Sequence, residues 1–291
     1  MRFKNFLIES NENDKDFKLI VDNVNSSYLD LITSSEGTLI YRGMNKKNSS
    51  GVTLMTPKAG RKSANTSNEF TTLVDNFLPS WKDYPKRSNS FICSTDMSYA
   101  AGFGYLHMVL PVGITKIGVC PENDMWSSFN FDQDNSDAIP FVNHLLHNIA
   151  AILNDETGKE YNFQSNNLES ELEKIINDVD EAIKDKSIDK IISNIDYVDD
   201  ADDDDNNDYR NNLTRTTVEI LEMAKSKKSL VKALDDFLNT ETNGFKLLTP
   251  EKIFKDVNHN HEVWFSTPAI FILPLHNEPL EFLNKLKQFR K

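Results

Sequence analysis

The chain is poor in cysteine, holding only Cys93 and Cys120. That excludes a disulfide framework of the secreted kind and any zinc site built on paired cysteines. Both lie in apolar, strand-like runs, so the sequence predicts two reduced core thiols and a reducing compartment. Long apolar runs are also missing. No stretch approaches the roughly 18 residues that a membrane-spanning helix needs, so no membrane partner is expected. The opening Met1-Arg2-Phe3-Lys4-Asn5-Phe6-Leu7 is too short an apolar run for a signal peptide. Positive charge is in deficit: Lys and Arg total 32 against 45 Asp and Glu, a formal net charge of -13. A protein that grips nucleic-acid backbone wants a basic face, so this balance argues against a general nucleic-acid binder. It leaves room for a local basic pocket around one small phosphate ligand.

Familiar nucleotide and hydrolase motifs are absent too. Gly102-Phe103-Gly104 lacks the third glycine of the dinucleotide fingerprint, and there is no Walker lysine motif. No Gly-x-Ser-x-Gly elbow surrounds Ser94, which argues against a serine-hydrolase nucleophile.

What the chain does have is a division of character along its length. Residues 1–35 carry Phe17, Ile20, Val21, Val24, Tyr28, Leu29 and Ile32 at helical spacing and read as one or two helices. Residues 36–135 hold the first convincing strands and read as the first part of an α+β domain. Residues 46–66 are polar and read as a loop containing Lys58, Arg61 and Lys62. Trp81 and Tyr84 are expected to pin the loop that follows to the core. Residues 136–249 carry three amphipathic stripes, among them Leu168, Leu172, Ile175, Ile176, Val179 and Ile183, and read as a helical insertion. The acidic run 199–208 reads as a solvated loop, since a Ca²⁺ loop needs a central glycine and none is there. Strand signal returns in 250–291, followed by a terminal amphipathic helix with Leu283 and Leu286.

Three short strings concentrate the residues able to do chemistry. Leu39-Ile40-Tyr41-Arg42-Gly43 ends in a guanidinium beside a glycine that lets a ligand approach the backbone. Phe91-Ile92-Cys93-Ser94-Thr95 ends in two hydroxyls, with Asp96 placed to cap a short following helix. Asn260-His261-Glu262-Val263-Trp264-Phe265 starts a strand with a glutamate among large apolar residues, a costly position unless the carboxylate is paired or used. Brought into one cleft, such a set suits an anionic, ribose-containing ligand. Each residue also has a plain structural reading. Arg42 can serve an ion pair, Ser94 and Thr95 can cap a helix, and Glu262 can sit at a wet strand edge. His259 and His261, on one strand face, could hold a metal only with a third ligand.

Taken in order, the three strings resemble the arginine–serine–glutamate class of ADP-ribosyltransferases. In that family one strand carries arginine, often as Tyr-Arg-Gly. A second carries a Ser-Thr motif before a short Ala/Phe/Gly-bearing helix. A third starts with the catalytic glutamate, commonly followed by valine. The runs Arg61-Lys62-Ser63-Ala64-Asn65-Thr66 and Pro85-Lys86-Arg87-Ser88 through Tyr99 are similar to proteins of large tailed bacteriophages. The resemblance implies an α+β fold of split, mixed or mostly antiparallel sheets forming an NAD-binding cleft, with the helical insertion added. It implies NAD as substrate, no metal, and a host or viral protein as acceptor. The place of action would be the host cytoplasm, or the virion if the protein is packaged. It assigns Glu262, Arg42 and Ser94 to catalysis. Arg42, Gly43, Ser94, Thr95, Tyr99, Phe103 and Trp264 are assigned to NAD, and Asn260 to positioning the acceptor. Asp96 stands where the family's second motif usually ends in serine. Asn260 stands where many members carry Glu or Gln, and a carboxamide cannot act as a base. The alternative on the same scaffold is a non-catalytic phage structural or host-interaction protein.

Overall fold

The computed structural model describes residues 14–45, 51–62, 68–113, 115–129, 138–164, 167–195, 205–273 and 279–290. It divides into two compact units, each woven from separate pieces of chain. One comprises Met1–Arg61, Tyr84–Ser128 and Gly244–Lys291, the other Lys62–Asp83 and Phe129–Asn243.

The first unit is an α+β structure on a single sheet. Its strands are β1 (Tyr41–Met44), β2 (Val52–Met55), β3 (Phe91–Ser94), β4 (Tyr105–Pro111), β5 (Ile117–Val119), β6 (Lys246–Leu248), β7 (Glu262–Phe265) and β8 (Ala269–Ile272). They lie in the order β2-β8-β4-β1-β3-β7-β5-β6. Every pairing is antiparallel. Two expectations are corrected. The strands form one sheet rather than two separate ones, and none is parallel. The segment expected to be a polar loop contains β2, because Val52 to Met55 find a full partner in β8, a pairing that local composition cannot reveal.

The sheet nevertheless has a weak seam. β1 pairs with β4 over four positions, yet it meets β3 at Tyr41 opposite Ser94 alone. Beyond that point the strands part. The helix Met97–Ala101 and the turn after it lie on β1 so closely that a Cβ on Gly43 would overlap the Ala100 carbonyl oxygen and Phe103. The Ile92 carbonyl accepts instead from Arg42 Nη1 at 2.5 Å.

Strand alternation sorts the core. One face carries Tyr41, Met108, Leu110, Ile270 and Ile272, clustered with Phe17, Ile20, Tyr28, Leu29, Ile32 and Leu286. These come from α1 (residues 14–23), α2 (Ser26–Ser34) and α10 (Pro279–Phe289). The other face carries Ile40, Phe91, Cys93, Val109, Val263, Phe265 and Phe271. Asn25 starts α2 by accepting from the Ser27 and Tyr28 N–H groups.

The second unit is helical: α3 (Glu69–Asn76), α5 (Ala138–Thr157), α6 (Leu168–Asp185), α7 (Ile188–Ser193), α8 (Asp205–Lys227) and α9 (Leu230–Phe237). The stripes read from the sequence supply its interior, with Leu145, Ile149, Leu172, Ile175, Val179, Leu230 and Leu234 buried. This unit also takes in α3, which the sequence reading assigned to the α+β part. Trp81 is pinned here, its indole N–H donating to Leu238 O at 2.9 Å. Most of the acidic run lies outside the described residues; its end, from Asp205, is helical.

Candidate functional site

The ends of β1, β3 and β7 stand side by side. Tyr41 is opposite Ser94, and Ser94 is opposite Glu262. Two antiparallel spacings of about 5 Å separate the three backbones. Residues more than two hundred positions apart thus share one end of the sheet.

The turn that delivers Glu262 is built by Thr95. Thr95 is fully buried. Its N–H donates to His261 O at 2.9 Å. Its hydroxyl accepts from His261 N–H at 3.0 Å and donates to Asn258 O at 3.2 Å. Asn260 takes a left-handed backbone, φ 83°, at the apex of this turn. Asparagine tolerates that conformation better than most residues. Its side chain is exposed. His261 Nδ1 lies 2.8 Å from Cys120 O, and His259 Nδ1 lies 3.3 Å from Thr95 O. Both rings therefore serve the turn. No group of three or more potential metal ligands is gathered among the described residues.

Ser94 is buried and its Oγ accepts from Asp96 N–H at 2.9 Å. Asp96 in turn caps α4 (Met97–Ala101), its Oδ1 accepting from Ser98 N–H at 2.7 Å and Tyr99 N–H at 3.1 Å. The aspartate that departs from the family pattern is thus a helix cap.

Glu262 is mostly buried, and its carboxylate is split between two environments. Oε1 makes an ion pair with Arg87 Nη1 at 2.7 Å and lies 3.8 Å from Cys120 Sγ. Oε2 has no hydrogen-bond partner among the described residues, and it is not sealed from solvent. One oxygen is held and the other is open.

Arg87 is the residue that the sequence reading passed over. It sits in a 3-10 turn, Arg87–Asn89, within a polar string that has no periodicity. Its guanidinium lies 5.0 Å above the Trp264 ring centroid. Position 264 shares a sheet face with position 262, so a buried glutamate two residues before a buried tryptophan was the available signal.

Two expectations about side chains are corrected. Arg42 does not join Glu262. Alternation sends it to the face of Phe91 and Cys93, where its guanidinium stands 5.7 Å over the Phe91 ring and takes up the Ile92 carbonyl that β1 leaves unpaired at the seam. Ser94, Glu262 and Trp264 occupy the opposite face. Trp264 cannot stack on a ligand either, because it is fully buried. Its ring packs so closely on Gly118 that a Cβ there would overlap it, is stacked by Tyr84 at 5.8 Å, and donates from Nε1 to Pro85 O at 2.8 Å. Tyr84 thus does pin its loop. Just beyond α4, Phe103 is 56% exposed, and the half-buried Tyr99 packs edge-to-face against it at 5.3 Å. Burial raises the Tyr99 hydroxyl pKa, and the nearby charges of Asp124 and Glu262 push it the same way.

The thiols are poor nucleophiles. Burial pushes Cys93 up to about 11 and Cys120 well above its ordinary value, with Glu262 adding to both. Neither cysteine is in a disulfide. No helix among the described residues is long and apolar enough to cross a membrane. No protein-family model, curated protein or solved structure matches this chain.

Proposed function

We propose that the chain is an NAD⁺-dependent mono-ADP-ribosyltransferase acting on a protein acceptor. The observation that carries this reading is the meeting of three strand ends at the sheet seam, with a buried glutamate that keeps one carboxylate oxygen open. In this account Glu262 Oε2 accepts from the 2′-hydroxyl of the nicotinamide ribose. As the bond from the anomeric carbon to nicotinamide breaks, positive charge spreads over the ribose, and the fixed carboxylate stabilises it. Nicotinamide leaves with the bonding electrons, and an acceptor nucleophile attacks the same carbon and gives up its proton to water. Thr95 and the turn 258–261 hold Glu262 in place beforehand. Tyr99 and Phe103 offer the aromatic faces for nicotinamide. Asn260, exposed beside Glu262, orients the acceptor without deprotonating it. Arg42 keeps the seam from closing by occupying the Ile92 carbonyl. The acceptor is a host or viral protein, and the place of action is the host cytoplasm.

The test is incubation of the protein with labelled NAD⁺ and a host lysate. Label passes to protein with the wild type, and Glu262→Gln lowers that transfer by about 10²–10³-fold, the usual effect of one preorganised charge contact. Equal labelling by both proteins contradicts the proposal.

One observation favours a second reading. A buried ion pair between Glu262 and Arg87 is also how a purely structural glutamate is satisfied. The chain would then be a non-catalytic phage structural or host-interaction protein. Absence of both nicotinamide release and an NAD⁺-induced thermal shift selects that reading.

A further inference from the structure

We infer that Arg87 is the positioning residue for Glu262, fixing Oε1 so that Oε2 alone is presented to the ribose. The inference rests on the reading of Glu262 as the catalytic carboxylate.

The residues form a closed circuit. Glu262 and Trp264 are two positions apart on β7 and so share a face. Trp264 is tied to Pro85 through its indole N–H. Pro85 leads within two residues to Arg87, whose own turn is closed by Asn89 N–H to Lys86 O at 3.1 Å and Ser90 Oγ to Lys86 O at 2.7 Å. Arg87 then returns to Glu262, with side chains 7% and 12% exposed. Gly118 seals the far side of the tryptophan, because only a residue without a Cβ leaves room for the ring.

This circuit suits arginine and no other side chain. A guanidinium is planar, so it can lie against the indole face and still hold a carboxylate oxygen at ion-pair distance, as Arg87 Nη1 holds Oε1 at 2.7 Å without hydrogen-bond geometry. A lysine ammonium can neutralise Glu262 but cannot do both at once. The arginine also keeps a mostly buried carboxylate charged in one orientation, which is what a group that stabilises an oxocarbenium-like transition state requires. Orientation errors of about 1 Å cost on the order of 10²-fold in rate.

The experiment is steady-state nicotinamide release from NAD⁺ by the wild type, Arg87→Met, Arg87→Lys, Glu262→Gln and the double variant Arg87→Met/Glu262→Gln. Arg87→Met is expected to lower kcat about 10²-fold with KM changed less than about threefold, the signature of an interaction that matters in the transition state. Arg87→Lys recovers part of that loss. In the Glu262→Gln background Arg87→Met lowers the rate no further, because the two residues act as one unit. If Arg87→Met does not fold, Arg87→Lys alone and with Glu262→Gln makes the same comparison. The inference is overturned if Arg87→Met keeps kcat within about twofold, or if the two losses multiply. A wild type that releases no nicotinamide removes the reading of Glu262 itself, and this role with it; an active wild type with an unaffected Arg87→Met removes only the role.

Discussion

Replacing Thr95 by valine keeps the shape of the side chain and deletes one hydroxyl. That hydroxyl accepts from His261 N–H and donates to Asn258 O. Thr95 itself has no exposure, so water cannot take over its position. The His261 N–H loses its acceptor next to a buried methyl group, and leaving a buried donor unmade costs about 1–3 kcal/mol. Asn258 is exposed and its carbonyl can turn to solvent, which confines the penalty to the His261 side. The expected loss is therefore about 1–2 kcal/mol of unfolding free energy. Thr33→Val is the control, because the Thr33 hydroxyl bonds to Leu29 O within its own helix, and its removal should cost under about 0.5 kcal/mol. Urea unfolding followed by tryptophan fluorescence gives the two values. Hydrogen exchange at His261 N–H reports the turn directly, and its protection should fall in Thr95→Val. A loss below 0.5 kcal/mol with unchanged His261 protection would refute the assignment of Thr95 as the brace of this turn.

Two further perturbations probe the same unit. Gly118→Ala drives a Cβ into the indole of Trp264, and the ring cannot retreat because Pro85 holds it. Calorimetry should show a loss of about 1–3 kcal/mol, the cost of overpacking, with a shifted tryptophan emission; a neutral variant contradicts the packing. His107 is fully buried, and Nε2 has no hydrogen-bond partner among the described residues. Burial lowers its pKa below the ordinary 6.5. The unfolded chain therefore binds the proton first, and stability falls as pH drops from 6.5 toward the lower folded value. Wild type should lose more stability between pH ~7.5 and ~5.5 than His107→Gln in denaturant titrations; parallel losses would falsify the role given to His107.

The legible parts of the fold were those with strong local periodicity. The stripes through Leu172, Ile175 and Val179, and through Leu145 and Ile149, name buried helix faces directly. Asp96 announced the cap of α4. The strands β2 and β6 were missed because each is short and half-exposed, and a partner far along the chain, β8 or β5, makes it a strand. At the site, the sequence located the strand ends that carry Arg42, Ser94, Thr95 and Glu262, since each follows or opens a run of β-formers. It did not locate side-chain faces. Arg42 and Glu262 look equivalent as polar residues at strand ends, yet the register through Tyr41 and Ser94 puts them on opposite faces. Arg87 carried no local signal, because its partners Glu262 and Trp264 lie far along the chain. The cost of burying a lone carboxylate was the one physical hint that such a cation had to exist.

The central claim is that the Glu262 carboxylate stabilises positive charge on ribose as nicotinamide departs. The most direct measurement is the rate of nicotinamide release from NAD⁺ by the purified chain, compared with Glu262→Gln at matched folding. The account predicts measurable release by the wild type and a fall of about 10²-fold or more in the variant. Equal rates from the two proteins, or no release from a folded wild type, would contradict it.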